Sequence, residues 1–167
     1  MISSFRGGLK LVNLGLSSMV NEVDLDLGIL MGLAYNAFVE KLNAHLRASG
    51  FDDLGRYYGY VFRALDADAP SLKELADRLG MTSAGALKIV DEMEARGYVE
   101  RVADREDARV KRLRLAPRGR KALGAARRFH GAFERGLGPS RAKQLRAILT
   151  EIAAYDPGSG APVLRPM

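Results

Sequence analysis

The chain of 167 residues is 47% apolar and 28% charged, with a formal net charge of +6 and no Cys. Such proportions belong to a soluble globular protein with a core of its own, and the lack of Cys excludes disulfides, thiolate metal sites and thiol chemistry. No apolar run reaches the roughly 18 residues of a membrane span and no export signal is recognisable, so a cytoplasmic protein that needs no membrane is expected.

Residues 1–24 have no strong period. Leu9, Val12, Leu16, Met19 and Val20 form a weak helical stripe, while Gly7, Gly8, Gly15 and several Ser suit either a loose tail or an arm that orders on a neighbouring subunit. From Leu27 to Ala48, apolar residues at 30, 33, 34, 37, 38, 42 and 46 predict one long helix with a broad apolar face. Gly50, Asp52 and Asp53 break it. A second helix is predicted over Leu54 to Leu65, with Tyr57, Tyr58, Val61, Phe62 and Leu65 inward, before a turn at 66–70.

Ser71 and Glu74 have the spacing of a capping box, so a helix should start there, carry Leu72, Leu75, Ala76 and Leu79 on one face, and stop at Gly80. Thr82 is a good N-cap for the next helix, whose inward residues are Ala86, Ile89, Val90 and Met93 and which Gly97 ends. Its outward face, Ser83, Ala84, Leu87, Lys88 and Asp91, is small near its start and bears one long cation. Such a face suits entry into a DNA major groove, although an ordinary solvated face has the same look. Residues 98–102 and 110–115 alternate as half-buried strands do, around a loop holding Asp104, Arg105, Glu106, Asp107 and Arg109.

Pro117 opens a further helix with Leu123, Ala126, Phe129 or His130, Phe133 and Leu137 along it, up to the break Gly136-Leu137-Gly138. Gly124 and Gly131, seven apart on one face, suggest a close crossing of two helices, within the chain or between subunits. The last helix, from Pro139 or Ser140 to Ala154, has an apolar stripe of Leu145, Ile148, Leu149 and Ile152 that needs cover, and residues 155–167 read as a loose end.

Charge is uneven along the chain. Residues 1–70 carry six bases and eight acids, 71–100 four and six, and 101–167 sixteen and six, for balances of −2, −2 and +10. Within residues 101–121 nine bases face three acids. A polyanion is the implied partner, and charge alone does not choose between DNA, RNA and an acidic protein. The two histidines, His45 and His130, have no carboxylate at ligand spacing, and no phosphate loop, nucleophile elbow or paired-carboxylate motif stands out, so neither metal, cofactor nor enzymatic activity is expected.

The run LADRLGMTSAGALKIVDEMEARGYVERVADREDARVKRLRLAPRGR resembles the winged helix-turn-helix of the multiple antibiotic resistance regulator (MarR) family of bacterial transcription factors. The match is close over 71–121 and looser from about 27 to 154. Its most specific part is Asp107-x-Arg109 followed by Leu113-x-Leu115-x-Pro117-x-Gly119. This chain departs from the family's habit at Ala116, where Thr is usual, at Arg105, often Pro, and at Gly85, commonly Thr or another side chain able to touch bases.

The resemblance implies a mainly α fold with a small β-hairpin. A winged helix-turn-helix lobe over 52–116 would be flanked by dimerisation helices at 25–51 and 117–154, with an arm at 1–24 and a tail at 155–167. It implies a homodimer on double-stranded DNA at a pseudopalindromic site, acting as a regulator and more often as a repressor. Thr82, Ser83, Ala84, Leu87, Lys88, Arg105, Arg109 and Lys111 would contact DNA, with Arg109 in the minor groove and Asp107 holding Arg109 by a hydrogen-bonded pair; a turn-forming Asp is the other reading of Asp107. Small effectors of the family, often aromatic acids, bind between such helices, which makes Phe38, His45, Tyr57 and Tyr58 candidate pocket walls, with core packing as their plainer role. The alternative function is a winged-helix module whose basic wing meets an acidic protein.

Overall fold

The computed structural model describes residues 25–154 apart from Arg105 and Ala108; the arm at 1–24, the tail and Arg105 lie outside the described residues. The elements are α1 (Leu27–Ala48), α2 (Tyr58–Ala67), α3 (Leu72–Leu79), α4 (Ser83–Ala95), β1 (Val99–Ala103), β2 (Lys111–Leu115), α5 (Pro117–Leu137) and α6 (Pro139–Ala154). This is the mainly helical, single-hairpin architecture expected. The chain divides into two units between Lys41 and Leu42. In the first, α1 exposes Leu27, Ile29, Leu30, Met31 and Tyr35.

The second unit is built on a core of Tyr58, Val61, Phe62 and Leu65 from α2, Leu75 and Leu79 from α3, Val90 and Met93 from α4, Tyr98, Val99, Leu113 and Leu115 from the hairpin, and Ala122 and Leu123 from α5. Local hydrogen bonds set the starts of the short helices. Ser71 Oγ accepts from the Glu74 amide at 3.3 Å while Glu74 Oε2 accepts from the Ser71 amide at 2.7 Å, completing the capping box. Gly80 takes the left-handed conformation that ends α3, and Thr82 Oγ1 accepts from the Gly85 amide at 3.1 Å to start α4.

The hairpin is antiparallel, with Val99 opposite Leu115 and Ala103 opposite Lys111. Its second strand also meets the segment before α3, where the Leu113 amide donates to the Pro70 carbonyl at 2.8 Å and Ser71 bridges to Arg112. The wing is thereby fastened to the start of the helix pair.

Two expectations change. The second helix begins at Tyr58 rather than Leu54, because the Tyr58 ring folds back over Gly55, where a Cβ would lie 2.6 Å from a ring carbon. Tyr57 is then the residue before the helix and half-buried rather than an inward helical position. Among the described residues Gly124 and Gly131 meet no second backbone, since the atoms nearest their missing side chains are the Arg128 and Arg135 guanidinium nitrogens of the same helix, at 3.6 and 3.3 Å.

Gly119 is the glycine the fold cannot replace. A Cβ there would fall 2.1 Å from the Tyr98 carbonyl oxygen, which already accepts from the Ala116 amide at 3.0 Å. Backbone on both sides leaves no room to yield. Gly119→Ala should therefore lower unfolding stability by about 1–3 kcal/mol or more in denaturant titrations. Gly136→Ala, with nothing within 4 Å of its Cβ, should be neutral or stabilising.

Candidate nucleic-acid interface

The residues that seat α4 and those it presents outward separate cleanly. Ala86, Val90 and Met93 are buried and Ile89 packs against the core, while Thr82, Ser83, Ala84, Leu87 and Lys88 are exposed. The Thr82 hydroxyl is engaged as the cap, so its side chain sets the helix start as well as lying on the outer face. Asp91, also outward, accepts from Arg101 at 2.6 Å, and Arg101 pairs in addition with Glu94. These ion pairs tie β1 to the outer edge of α4.

The wing turns on Asp104. Its Oδ1 accepts from the Glu106 amide at 2.8 Å and the Asp107 amide at 3.3 Å, and its other oxygen accepts from Arg112 Nε. Arg112 also donates to Glu74 Oε2 at 2.9 Å, the same oxygen that caps α3. The two backbone amides and the Arg112 guanidinium hold the Asp104 carboxyl down at about 2.

At the wing tip, Asp107 Oδ1 accepts from the Arg109 backbone amide at 2.9 Å. Asp107 thus sets Arg109 through its main chain, as a turn-forming Asp does, rather than by pairing the guanidinium. Arg109 and Lys111 are exposed, and among the described residues neither has an ion-pair partner.

A third polar group holds the lobe from behind. Asp53 accepts from the Tyr98 hydroxyl and from Arg118 at 3.0 Å, its carbonyl accepts from Arg96, and Arg118 lies over the Tyr98 ring at 4.4 Å. Burial alone would raise the Asp53 carboxyl, but the Tyr98 hydrogen bond and the Arg118 charge together bring it below its ordinary value. The same burial, with the Asp53 carboxylate beside it, raises Tyr98. Arg101, Arg112 and Arg118 are consequently structural cations, although the sequence counts them with the basic stretch. The Asp-x-Glu-Asp order at 104–107 carried a signal for Asp104, because an Asp ahead of open amides is turn chemistry; the partners of Arg112 and Arg118, 38 and 65 residues away, left none.

Of the proposed pocket walls, Tyr58 is buried against Phe62 and Tyr98, with ring centroids at 6.2 and 5.6 Å, and His45 packs on Phe129 at 5.6 Å. Tyr57 and Phe38 are half-buried. Among the described residues the His45 Nε2 atom is buried without a hydrogen-bond partner, and the buried Tyr58 hydroxyl lies beside Glu92. Burial, with the Glu92 charge nearby, pushes Tyr58 up to about 12. Among the described residues no group of three or more His, Asp or Glu could hold a metal, and no helix is long and apolar enough to cross a membrane.

A capped helix pair whose second member turns a small-residue face outward, followed by a hairpin with a free arginine at its tip, defines a winged helix-turn-helix protein. Residues 53–110 match the MarR family model. The exopolysaccharide II synthesis transcriptional activator ExpG of Rhizobium meliloti (strain 1021) is 28% identical over 131 residues, which is 74% of this chain and 68% of that protein. The transcriptional repressor CouR bound to a 23-mer DNA duplex superposes with a TM-score of 0.62 at 24% identity, covering 80% of this chain and 96% of that one. CouR from Rhodococcus jostii RHA1 bound to p-coumaroyl-CoA gives 0.57 at 25%, covering 81% and 95%. Over its winged lobe the chain is similar to the MarR family, and more broadly to a transcriptional activator.

The depressed Asp104 carboxyl sets a pH range for the wing. A group lowered by folding stabilises the folded form above its ordinary value of 3.8, and that contribution is lost as pH falls through about 2. In an NMR titration the Glu106 and Asp107 amides should hold their shifts from about pH 6 to about pH 3 and move only below. Movement centred near the ordinary carboxylate value would mean that the turn does not form.

Proposed function

We propose that two copies of this chain bind a pseudopalindromic duplex, each laying the start of α4 in a major groove and the wing tip against the adjacent minor groove. The observation that carries this reading is the pairing of an outward face made of Ser83, Ala84, Leu87 and Lys88 with a wing whose exposed Arg109 is held by its own backbone turn. Lys88 supplies a point charge for a phosphate or base edge, Lys111 a second one from β2, and Arg109 a planar cation for a narrow, negative minor groove. Arg105 is assigned to the phosphate backbone from its place in the wing sequence.

Pairing of copies is supported by apolar surface that each chain leaves open: Leu145, Ile148, Leu149 and Ile152 on α6, which has no buried residue, and, separately, the exposed apolar residues of α1. A two-fold pair would put its half-sites about one helical turn apart. Repression needs only occupancy of a promoter, so it is the sign proposed, in the cytoplasm. Activation is the second reading, favoured by the likeness to ExpG.

A small aromatic or anionic effector would tune binding by preferring one spacing of the two lobes. The buried His45 Nε2, without a hydrogen-bond partner among the described residues, supports a polar ligand, because a buried unpaired polar atom costs about 1–3 kcal/mol until something bonds to it. CouR's complex with p-coumaroyl-CoA makes a coenzyme A thioester of an aromatic acid the first ligand to try.

Selection from a random duplex library at about 150 mM salt, where non-specific binding is already weakened, should yield a palindrome with half-sites near one turn apart. Arg109→Ala should weaken binding to that site about tenfold or more with the helix content unchanged, the loss expected of a minor-groove arginine. Wild-type affinity in this variant would remove the wing from the reading. Ile148→Glu with Leu149→Glu should sediment as a monomer and lose cooperative binding to the full site; a dimer of unchanged affinity would exclude α6 from the contact.

A further inference from the structure

Among the described residues, the large apolar side chains left exposed lie on α1, α5 and α6, with one exception. The exception is Leu87, 42% exposed, in the middle of the outward face of α4. It follows Ala84 by three residues and precedes Asp91 by four, so Ala84, Leu87, Lys88 and Asp91 form one stripe along the helix.

The composition of that stripe limits how it can read bases. Guanine is read by Arg or Lys on O6 and N7, adenine by Asn or Gln on N6 and N7, and cytosine by a carboxylate on N4. The sequence of α4, SAGALKIVDEMEA, contains no Arg, Asn or Gln. Asp91, the carboxylate on the stripe, is occupied by Arg101 at 2.6 Å. Ser83 offers a single hydroxyl, Lys88 a mobile point charge, and Gly85 no side chain at all. What remains is an apolar pair, Ala84 and Leu87, one turn apart, and the apolar group a major groove displays is the C5 methyl of thymine.

We infer that Leu87, with Ala84 beside it, selects thymine at the base pairs under the first two turns of α4 by direct contact with the C5 methyl group. This rests on the DNA-binding reading above and adds the base class to it. Leu87 acts here as a specificity residue, with Lys88 and Arg109 supplying the attraction that brings it to the groove.

Uracil isolates the contact, because it removes the methyl and keeps every pairing atom of thymine. The full chain would be titrated, at about 150 mM salt, against its selected site and against versions in which each half-site thymine is replaced in turn by uracil. One or two neighbouring thymines per half-site should each lose about three- to tenfold in affinity, the scale of one buried methyl or slightly more. The same replacements should change the affinity of Leu87→Ala by less than about twofold, since the methyl then has no partner.

Two results would overturn the inference: no thymine in the half-site sensitive to uracil with the wild-type chain, or an equal loss in Leu87→Ala, which would assign the methyl's effect to duplex shape. The wild-type uracil scan decides the matter even if the variant folds poorly. Failure to select any sequence would instead remove the DNA-reading function itself, and the thymine preference with it.

Discussion

Tyr98 is the point at which the elements of the winged lobe meet. Its ring is fully buried among Phe51, Tyr58 and Phe62, at 6.5, 5.6 and 5.7 Å between centroids, and is covered by Arg118. Its hydroxyl donates to Asp53 before α2, its amide donates to the Met93 carbonyl near the end of α4, and its carbonyl accepts from the Ala116 amide at the start of α5. One residue, through its ring, hydroxyl, amide and carbonyl, therefore fixes four chain segments at once. The cost of burying a phenol hydroxyl is offset because it donates to the Asp53 carboxylate, which Arg118 also holds, while Arg96 donates to the Asp53 main-chain carbonyl. The direction of α4, and hence of the face it turns outward, follows from this junction.

What could be read in the sequence was what local bonding decides. Ser71, Thr82 and Pro117 mark helix starts because the cap or the fixed φ acts within one turn, and Gly80 and Gly97 mark ends because the left-handed backbone is theirs. The start of α2 was misplaced by four residues because it depends on a ring lying over Gly55 and on Asp53 being claimed from the far end of the lobe. The small-residue face of α4 and Arg109 at the wing tip came from pattern and resemblance. Asp107 at Arg109 is legible from its spacing, whereas the role of Asp104 toward Arg112 is not, because only three dimensions bring Arg112, which Glu74 also holds, to its carboxylate.

The basic stretch after residue 100 does two jobs that its net charge does not distinguish. Arg101, Arg112 and Arg118 are spent on acids within the lobe, and Arg120 caps the Leu115 carbonyl. Arg109 and Lys111 face solvent. The cations left to meet a polyanion are thus fewer than the sequence suggests, and they stand on the rim of a wing whose shape the paired ones maintain.

Glu74 closes the capping box of α3 and holds Arg112 of the wing with one and the same oxygen. Local fluctuations of these two parts therefore cannot be independent. If α3 frays at its first turn, Glu74 swings away and the wing loses one of the two acids on Arg112; if the wing opens, the cap loses the cation beside it. The start of the helix pair and the wing form one cooperative opening unit, joined by the Glu74 carboxylate, the bridge at Ser71 and the Leu113–Pro70 hydrogen bond, although these residues lie far apart along the chain.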